Sequence, residues 1–243
     1  MGGGGGREVI LAGHQPEYLP YLGYFQKVAR ADHFMIVDHV QYARRDFQNR
    51  NYIRNRTGKI LLTVPVLNKG HHDLPFNEIL INRQEPWARK NWRSLYFAYK
   101  DAPYWSRYGP ELEAIYQRSW ERLADLNITL IRLFMDWLGL TVPVTLSSQH
   151  GIRGSKTDML VEMCRMVGAD TYLSGQGARD YVEPDVLARA GIRHFFCRFI
   201  HPEYSQRFTP FIPNLSVVDL LFNNGDHARE ILDQAVILST LES

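Results

Sequence analysis

Short hydrophobic runs and stretches of helical periodicity alternate along the chain. The first run, residues 9–12, is followed by Pro16 and Pro20, which delay the start of a helix. Apolar residues at helical spacing then predict a helix over about 22–31, and the next apolar run predicts a strand over 34–37. The pattern therefore predicts a strand–helix–strand unit in this part of the chain.

The rest of the chain predicts a hairpin, a group of helices and further alternation. A polar segment at 44–56 and a strand-forming segment at 59–66 flank a turn, which favours a β-hairpin, and 84–140 favours two or three helices. The remaining predicted elements are strands at 142–146, 171–173 and 194–199 and helices at 158–167, 184–190 and 226–238. We therefore predict an α/β fold with a mostly parallel sheet, flanking helices, a β-hairpin and a helical insertion at about 84–140.

Composition and charge exclude several classes of protein. The 243 residues, 45% of them hydrophobic, fit one globular domain over 7–243 after a flexible leader at 1–6. A formal net charge of only +2 argues against nucleic acid as a partner. The two cysteines are isolated, and charged residues, glycine and proline interrupt the most apolar region, 128–146. We therefore expect a cytoplasmic protein without a membrane span.

The segments that follow the predicted strands are the candidates for a site, because ligands of parallel α/β sheets bind beyond the carboxyl ends of the strands. After the first strand, residues 13–20 form a proline-rich turn in which His14 is a candidate catalytic acid or base. Gln15 and Tyr18 are candidate hydrogen-bonding partners of a polar substrate. This turn is the first candidate catalytic segment.

The segment after the second predicted strand begins at Asp38, a candidate catalytic base, and continues into amide and guanidinium side chains. Such groups suit sugar hydroxyls, carboxylates or phosphates, because Arg binds in a bidentate manner and Asn and Gln both donate and accept. A solvated hairpin edge is an equally good interpretation of the same residues. The candidate substrate-binding residues here are Gln41, Tyr42, Arg44, Gln48, Asn49, Arg50 and Asn51.

A Ser- and Gly-rich segment, 147–158, leads from a predicted strand into a helix, a position that favours an anion. Arg153, Ser155 and Lys156 are the candidate ligands of that anion. The P-loop pattern fails, because Ser155 rather than glycine precedes Lys156. The alternative is that Ser155 and Asp158 form a capping box that needs no ligand.

Two more segments follow predicted strands. His201 comes after the strand at 194–199 and is the third candidate catalytic residue. His71 and His72 lack a carboxylate partner at ligand spacing, so no metal site is predicted. The further candidate substrate-binding residues are Ser174, Gly175, Gln176, Gly177, Asp180, Tyr181, Tyr204 and Gln206.

Six separated motifs carry a family resemblance. They are GHQPEYLPYLGYF at 13–25, DHVQY at 38–42, QNRN at 48–51, TYLSG at 171–175, HPEYSQ at 201–206 and LSVVDLLFNNG at 215–225. In this order they resemble the WbqC-like family, over nearly the whole chain from about residue 8. The chain departs from that family at His14, where an apolar residue or methionine is expected before Gln15.

The resemblance implies a cytoplasmic role in modifying an amino sugar for bacterial surface polysaccharide (O-antigen) biosynthesis, and it provides no catalytic residues to carry over. The leading hypothesis is transfer of glycine or another small acyl group to the amine of a nucleotide-linked or lipid-linked amino sugar, with ATP or acyl-CoA as candidate cofactors. One alternative is an ATP-dependent nucleotidyl or adenylyl transferase of the HIGH type, in which Ser155 and Lys156 would contact phosphate. The other is a non-catalytic carbohydrate- or nucleotide-binding partner of a biosynthetic complex. The oligomeric state stays open.

Overall fold

Eight strands and eight α-helices lie in the part of the chain that the computed structural model describes, residues 8–44, 46–67, 74–234 and 236–239. The strands are β1 (Ile10–His14), β2 (His33–Ile36), β3 (Arg50–Asn55), β4 (Gly58–Thr63), β5 (Val144–Leu146), β6 (Thr171–Gly175), β7 (Arg193–Phe199) and β8 (Val236–Ser239). The helices are α1 (Leu22–Ala29), α2 (Trp87–Tyr99), α3 (Trp105–Gln117), α4 (Leu123–Trp137), α5 (Lys156–Val167), α6 (Pro184–Arg189), α7 (Val217–Asn224) and α8 (Ala228–Asp233).

Six of these strands form one sheet in the order β5-β2-β1-β6-β7-β8, and β3 and β4 form a separate antiparallel hairpin. The strands from β5 to β7 are parallel to their neighbours, whereas β8 is antiparallel to β7. The predicted α/β class, with its mostly parallel sheet and its hairpin, is therefore confirmed. Helices α2, α3 and α4 lie between β4 and β5, inside the region predicted to be helical.

Local sequence explains the first elements. Leu11 and Ala12 in β1 are completely buried, on opposite faces of the sheet. Helix α1 begins only at Leu22, after the loop that Pro16 and Pro20 restrict. The predicted strand–helix–strand unit therefore forms, with β1 and β2 as parallel neighbours.

Two hydrophobic cores cover the two faces of the sheet. The larger core contains apolar side chains of α1, of α2 to α4 and of α7 and α8. The smaller core contains those of α5 and α6. Side chains of one strand alternate between the cores, as Phe34 and Met35 of β2 do. Helices thus cover both faces, which is the usual arrangement around a parallel sheet.

The connections from β1 and β6 diverge, although these two strands are neighbours. From β1 the chain passes through α1, on one face, to β2; from β6 it passes through α6, on the opposite face, to β7. In open α/β sheets, such a divergence leaves a crevice beyond the carboxyl ends of the two strands, and ligands bind there. The topology therefore predicts a ligand-binding site at the carboxyl ends of β1 and β6.

The prediction of one helix over 226–238 is wrong. Helix α8 ends at Asp233, and β8 pairs with β7 with Val236 opposite Phe199. Pairing with β8 satisfies backbone groups that β7 would otherwise leave open at the sheet edge. The expected leader at 1–6 lies outside the described residues. Among the residues that are described, no helix combines the length and apolar character needed to cross a membrane.

Candidate active site

Three titratable side chains meet at the carboxyl ends of β1 and β6. His14 is the last residue of β1, Glu17 follows in the proline-rich turn, and Lys27 reaches them from α1. The Lys27 ammonium nitrogen Nζ donates a hydrogen bond to the Gly13 carbonyl at 2.7 Å. A Cβ atom placed on Gly175, at the end of β6, would come 3.9 Å from the same nitrogen. The cluster therefore sits where the topology predicts a ligand.

His14 is neutral near pH 7. Burial and the charge of Lys27 lower its pKa to about 3, against a smaller opposing effect of its hydrogen bond to the Gln15 backbone. Its Nδ1 lies 3.0 Å from the Gln15 carbonyl oxygen, which can only accept, so Nδ1 carries the proton. Nε2 therefore presents a lone pair, 3.7 Å from Glu17 Oε1.

Glu17 and Lys27 both have pKa values displaced toward neutrality. Burial, with a smaller contribution from Asp46, raises the pKa of Glu17 to about 8 although Lys27 opposes it. Burial lowers the pKa of Lys27 to about 8, against the opposing charge of Glu17. Glu17 Oε2 is buried without a hydrogen-bond partner among the described residues. Near pH 7 the cluster thus holds a carboxylic acid and an amine that readily gives up its proton.

Lys27 is a member of this cluster that sequence reasoning missed, because it lies in a helix rather than after a strand. It is only 4% exposed, and residues 22–28 of α1 are all buried. A lysine inside so apolar a helix was the available signal, since lysine is almost never fully buried without a partner.

Asp38 and its neighbours join the carboxyl ends of β2 and β5. The Asp38 carboxylate accepts hydrogen bonds from Ser147 Oγ at 3.0 Å, from Ser148 N at 2.9 Å and from Ser148 Oγ at 2.7 Å. His39 Nδ1 lies 2.6 Å from Ser147 Oγ. Asp38 therefore shares the strand-end edge with His14 and has three donors on its carboxylate, while its catalytic role stays a prediction.

Replacing Asp38 with alanine should lower the free energy of unfolding by about 2 kcal/mol, because it leaves the buried Ser147 hydroxyl and the part-buried Ser148 donors without their acceptor. Denaturant unfolding measures the change. Asp136→Ala, at an exposed position of α4, is the matched control and should change stability by less than about 0.5 kcal/mol. Equal stability of the two variants would show that the Asp38 bonds contribute nothing to folding.

Several candidate substrate-binding side chains make hydrogen bonds that hold the turn after β1. Gln48 donates to the Gln15 side chain, and Asn51 Nδ2 donates to the Leu19 carbonyl at 2.7 Å. The Tyr18 hydroxyl is buried and accepts from Asn91 at 3.0 Å. These bonds fix the turn that carries His14 and Glu17. Of the residues predicted here, Gln15 is half-buried and Gln41 is exposed.

Four other candidates converge on one cavity of about 590 Å³ between the 42–50 segment, the hairpin and residues 82–85. The predicted residues that line it are Tyr42, Arg44, Asn49 and Arg50. Asn49 also donates to the Val64 carbonyl at 2.8 Å. The sequence pattern thus grouped residues that do share a cavity, and their substrate-binding role stays a prediction.

The segment from Arg153 to Lys156 is exposed at the start of α5, the helix that covers the sheet face opposite α1. The capping box expected there does not form, because the Ser155 side chain makes no capping hydrogen bond. Lys156 has a positive φ of 50°, which places the chain outside a regular first turn. The exposed Asp180 and Tyr181 are close by, since Thr157 Oγ1 lies 3.4 Å from the Tyr181 carbonyl.

The remaining candidates follow β6 and β7. Ser174 is buried against His194 Nε2 at 2.8 Å, whereas Gln176 and Gly177 are exposed beyond β6. His201 Nδ1 donates to the Pro202 carbonyl at 2.8 Å, and its Nε2 is buried without a partner among the described residues. His201 lies at the same sheet edge as His14, two strands away.

Tyr204 and Gln206 belong to a buried network around Asp219 of α7. The Asp219 carboxylate accepts from Tyr204 at 3.0 Å, from Gln206 at 2.9 Å and from Tyr99 at 2.9 Å. Burial raises the pKa of Asp219 to about 6 against these donors. Gln206 in turn accepts from Arg54 of β3. The network ties the loop after β7 to the hairpin and to α7.

Metal ligands do not cluster in the described part of the chain: no group of three or more His, Cys, Asp or Glu residues there could hold an ion. His71 and His72 lie outside the described residues. Cys164 is completely buried, and burial raises the pKa of its thiol to about 12. A thiol with so high a pKa is a packing residue rather than a nucleophile.

The fold and the site define a doubly wound α/β protein with an acid–base cluster at the point where its strand connections diverge. The chain belongs to the WbqC-like protein family, whose model matches residues 15–231. It is also similar to Uncharacterized protein Rv1507c of Mycobacterium tuberculosis, with 34% identity over 220 residues, which are 90% of this chain and 95% of that protein. No solved structure matches the chain significantly.

Proposed function

We propose that the protein transfers glycine or another small acyl group to the amine of a nucleotide-linked or lipid-linked amino sugar in bacterial surface polysaccharide (O-antigen) biosynthesis. The observation that carries the proposal is the cluster of half-buried His14 with buried Glu17 and Lys27 at the carboxyl ends of β1 and β6. Acyl transfer to an amine needs a base for the ammonium proton and an acid for the leaving group, and this cluster supplies both. The family resemblance supports the substrate class.

The proposed step uses an acyl thioester as donor. Lys27, as the neutral amine, takes one proton from the sugar ammonium and later returns it to solvent. The freed amine attacks the carbonyl carbon, a C–N bond forms, and the C–S bond breaks with the electron pair leaving on sulfur. The protonated Glu17 gives its proton to the thiolate and regains one from the nitrogen of the new amide. Neutral His14, whose Nε2 lone pair lies 3.7 Å from Glu17 Oε1, is proposed to position Glu17.

Anionic groups of the substrate need cationic partners. Arg44 and Arg50 line the cavity of about 590 Å³ and are proposed to bind phosphate. Gln48 links that segment to Gln15, next to His14. Arg153 and Lys156, between β5 and α5, are proposed as further anion ligands.

Mass spectrometry tests the proposal most simply. The full chain is incubated with UDP-, dTDP- and GDP-linked amino sugars and with either acetyl-CoA or glycine plus ATP, and the products are examined for a new sugar amide. The scheme is supported if amide forms only when the protein is present and if the rate of its formation is lower with the His14→Ala variant. Full turnover by His14→Ala would remove His14 from it. Glycine-dependent exchange of pyrophosphate into ATP, with no amide formed, would replace acyl transfer with adenylation.

A further inference from the structure

A large cationic cavity lies between the hairpin, α2 and the loop after β7, apart from the residues assigned to the acid–base cluster. Its volume is about 1060 Å³. Among the residues that the structure describes, five cationic side chains line this cavity, and none of the lining residues carries a carboxylate. The five are Arg56, Arg89, Lys90, Arg93 and Arg207. The net charge of +2 gives no indication of this local concentration.

The cations on α2 occupy positions that are unfavourable for an isolated helix. Arg89 lies in the first turn, where the helix dipole favours negative charge, and that turn contains no acidic residue. Arg93 lies four residues further on, so the two like charges share one face of the helix and repel each other. None of the ion pairs between described residues involves Arg56, Arg89, Lys90 or Arg93. An anion in the cavity would relieve both penalties.

One wall of the cavity is aromatic. Phe97 of α2 is 61% exposed, and Phe208 packs under the Arg207 guanidinium at 5.3 Å. An ion pair between Arg207 and Asp101, at 2.7 Å, orients that arginine. A concave surface that combines several guanidinium groups with apolar rings suits a ligand that joins a multiply charged anion to an organic group.

We infer that this cavity binds a diphosphate ester. Diphosphate carries more charge than one arginine can match, and two guanidinium groups on one helix face can each bind it through two parallel hydrogen bonds. The organic part of the ester packs against Phe97 and Phe208. A nucleoside diphosphate and a prenyl diphosphate share this chemistry, so the test separates them. Binding is measured without turnover, and the inference therefore does not depend on acyl transfer.

Isothermal titration calorimetry with UDP, geranyl diphosphate and UMP tests the inference on the full chain. UDP or geranyl diphosphate should bind about tenfold or more tightly than UMP, and the affinity should fall as salt is raised. Binding of UDP alone identifies a nucleoside ligand, binding of geranyl diphosphate alone identifies a lipid ligand, and binding of both shows that diphosphate dominates. No preference of either diphosphate over UMP would overturn the inference.

A double variant, Arg89→Gln with Arg93→Gln, locates the site. It should weaken diphosphate binding about tenfold or more. Its thermal midpoint without ligand should be unchanged or higher, because a like-charge pair has been removed. The matched control is Arg118→Gln with Arg132→Gln, two exposed arginines outside the cavity with the same total charge change. Unchanged binding in the Arg89 and Arg93 variant would overturn the inference and place the ligand elsewhere, as at Arg44 and Arg50. Equal weakening in both double variants would mean that bulk charge, rather than this cavity, attracts the ligand.

Discussion

Replacing Lys27 with methionine should reduce kcat/KM for acyl transfer by about 10²–10⁴-fold and leave the fold intact. Methionine has nearly the same length as the apolar part of lysine but cannot accept a proton. The substitution also removes the penalty of burying an ammonium group, which offsets the lost bond to the Gly13 carbonyl. Activity should therefore fall without a matching loss of stability.

Lys100→Met is the matched control, because Lys100 is exposed at the end of α2 and outside the cluster. It should keep the activity of the unmodified protein.

In the unmodified protein, kcat/KM should rise as pH approaches 8, where Lys27 becomes neutral, and fall above pH 8, where Glu17 loses its proton. Transfer by Lys27→Met at an undiminished rate would exclude Lys27 as the base.

Replacing Glu17 with glutamine should make the protein progressively more stable than the unmodified chain as pH rises from 4.5 to 8. The pKa of Glu17 is raised from 4.5 in the unfolded chain to about 8 in the fold. Between these values the folded state binds more protons than the unfolded state, so this residue makes stability fall as pH rises. Glutamine resembles the protonated acid and does not ionise.

The difference in unfolding free energy between Glu17→Gln and the unmodified protein should reach as much as roughly 5 kcal/mol at pH 8 and be small at pH 4.5. Denaturant unfolding at a series of pH values measures it. The lowered pKa of His14 acts in both proteins, so its contribution largely cancels. Glu121→Gln, at an exposed position, should show no such trend. A constant difference across this pH range would contradict the raised pKa of Glu17.

Much of the fold was predictable from periodicity. The runs around β1, β2, β6 and β7 and the proline-delayed start of α1 are local signals that the structure retains. The end of the chain was not, because β8 forms by pairing with β7, which is more than thirty residues earlier in the chain. Strand order was also beyond the sequence, although it alone determines that His14 and Gly175 end on neighbouring strands.

The candidate site was predictable in position and less so in its residues. The rule that ligands bind at strand ends selected His14, which the structure places as the last residue of β1. The same rule proposed Gln48 and Asn51 as substrate ligands, and the structure adds that both bond to the turn after β1. Composition cannot distinguish an amide that faces a ligand from one that satisfies buried backbone. Lys27 and the cationic cavity depend on tertiary packing, which a strand-end search does not cover.

The protonation of Lys27 directly tests the proposal that this residue is the base of acyl transfer. The chain has six lysines, so a protein labelled with ¹³C at lysine Cε gives few resonances, and the one that disappears in Lys27→Met is assigned to Lys27. We expect this resonance to titrate with a midpoint near pH 8, well below the ordinary lysine value of about 10.4. A Lys27 midpoint at or above 10 would contradict the proposed base and the acyl-transfer scheme built on it.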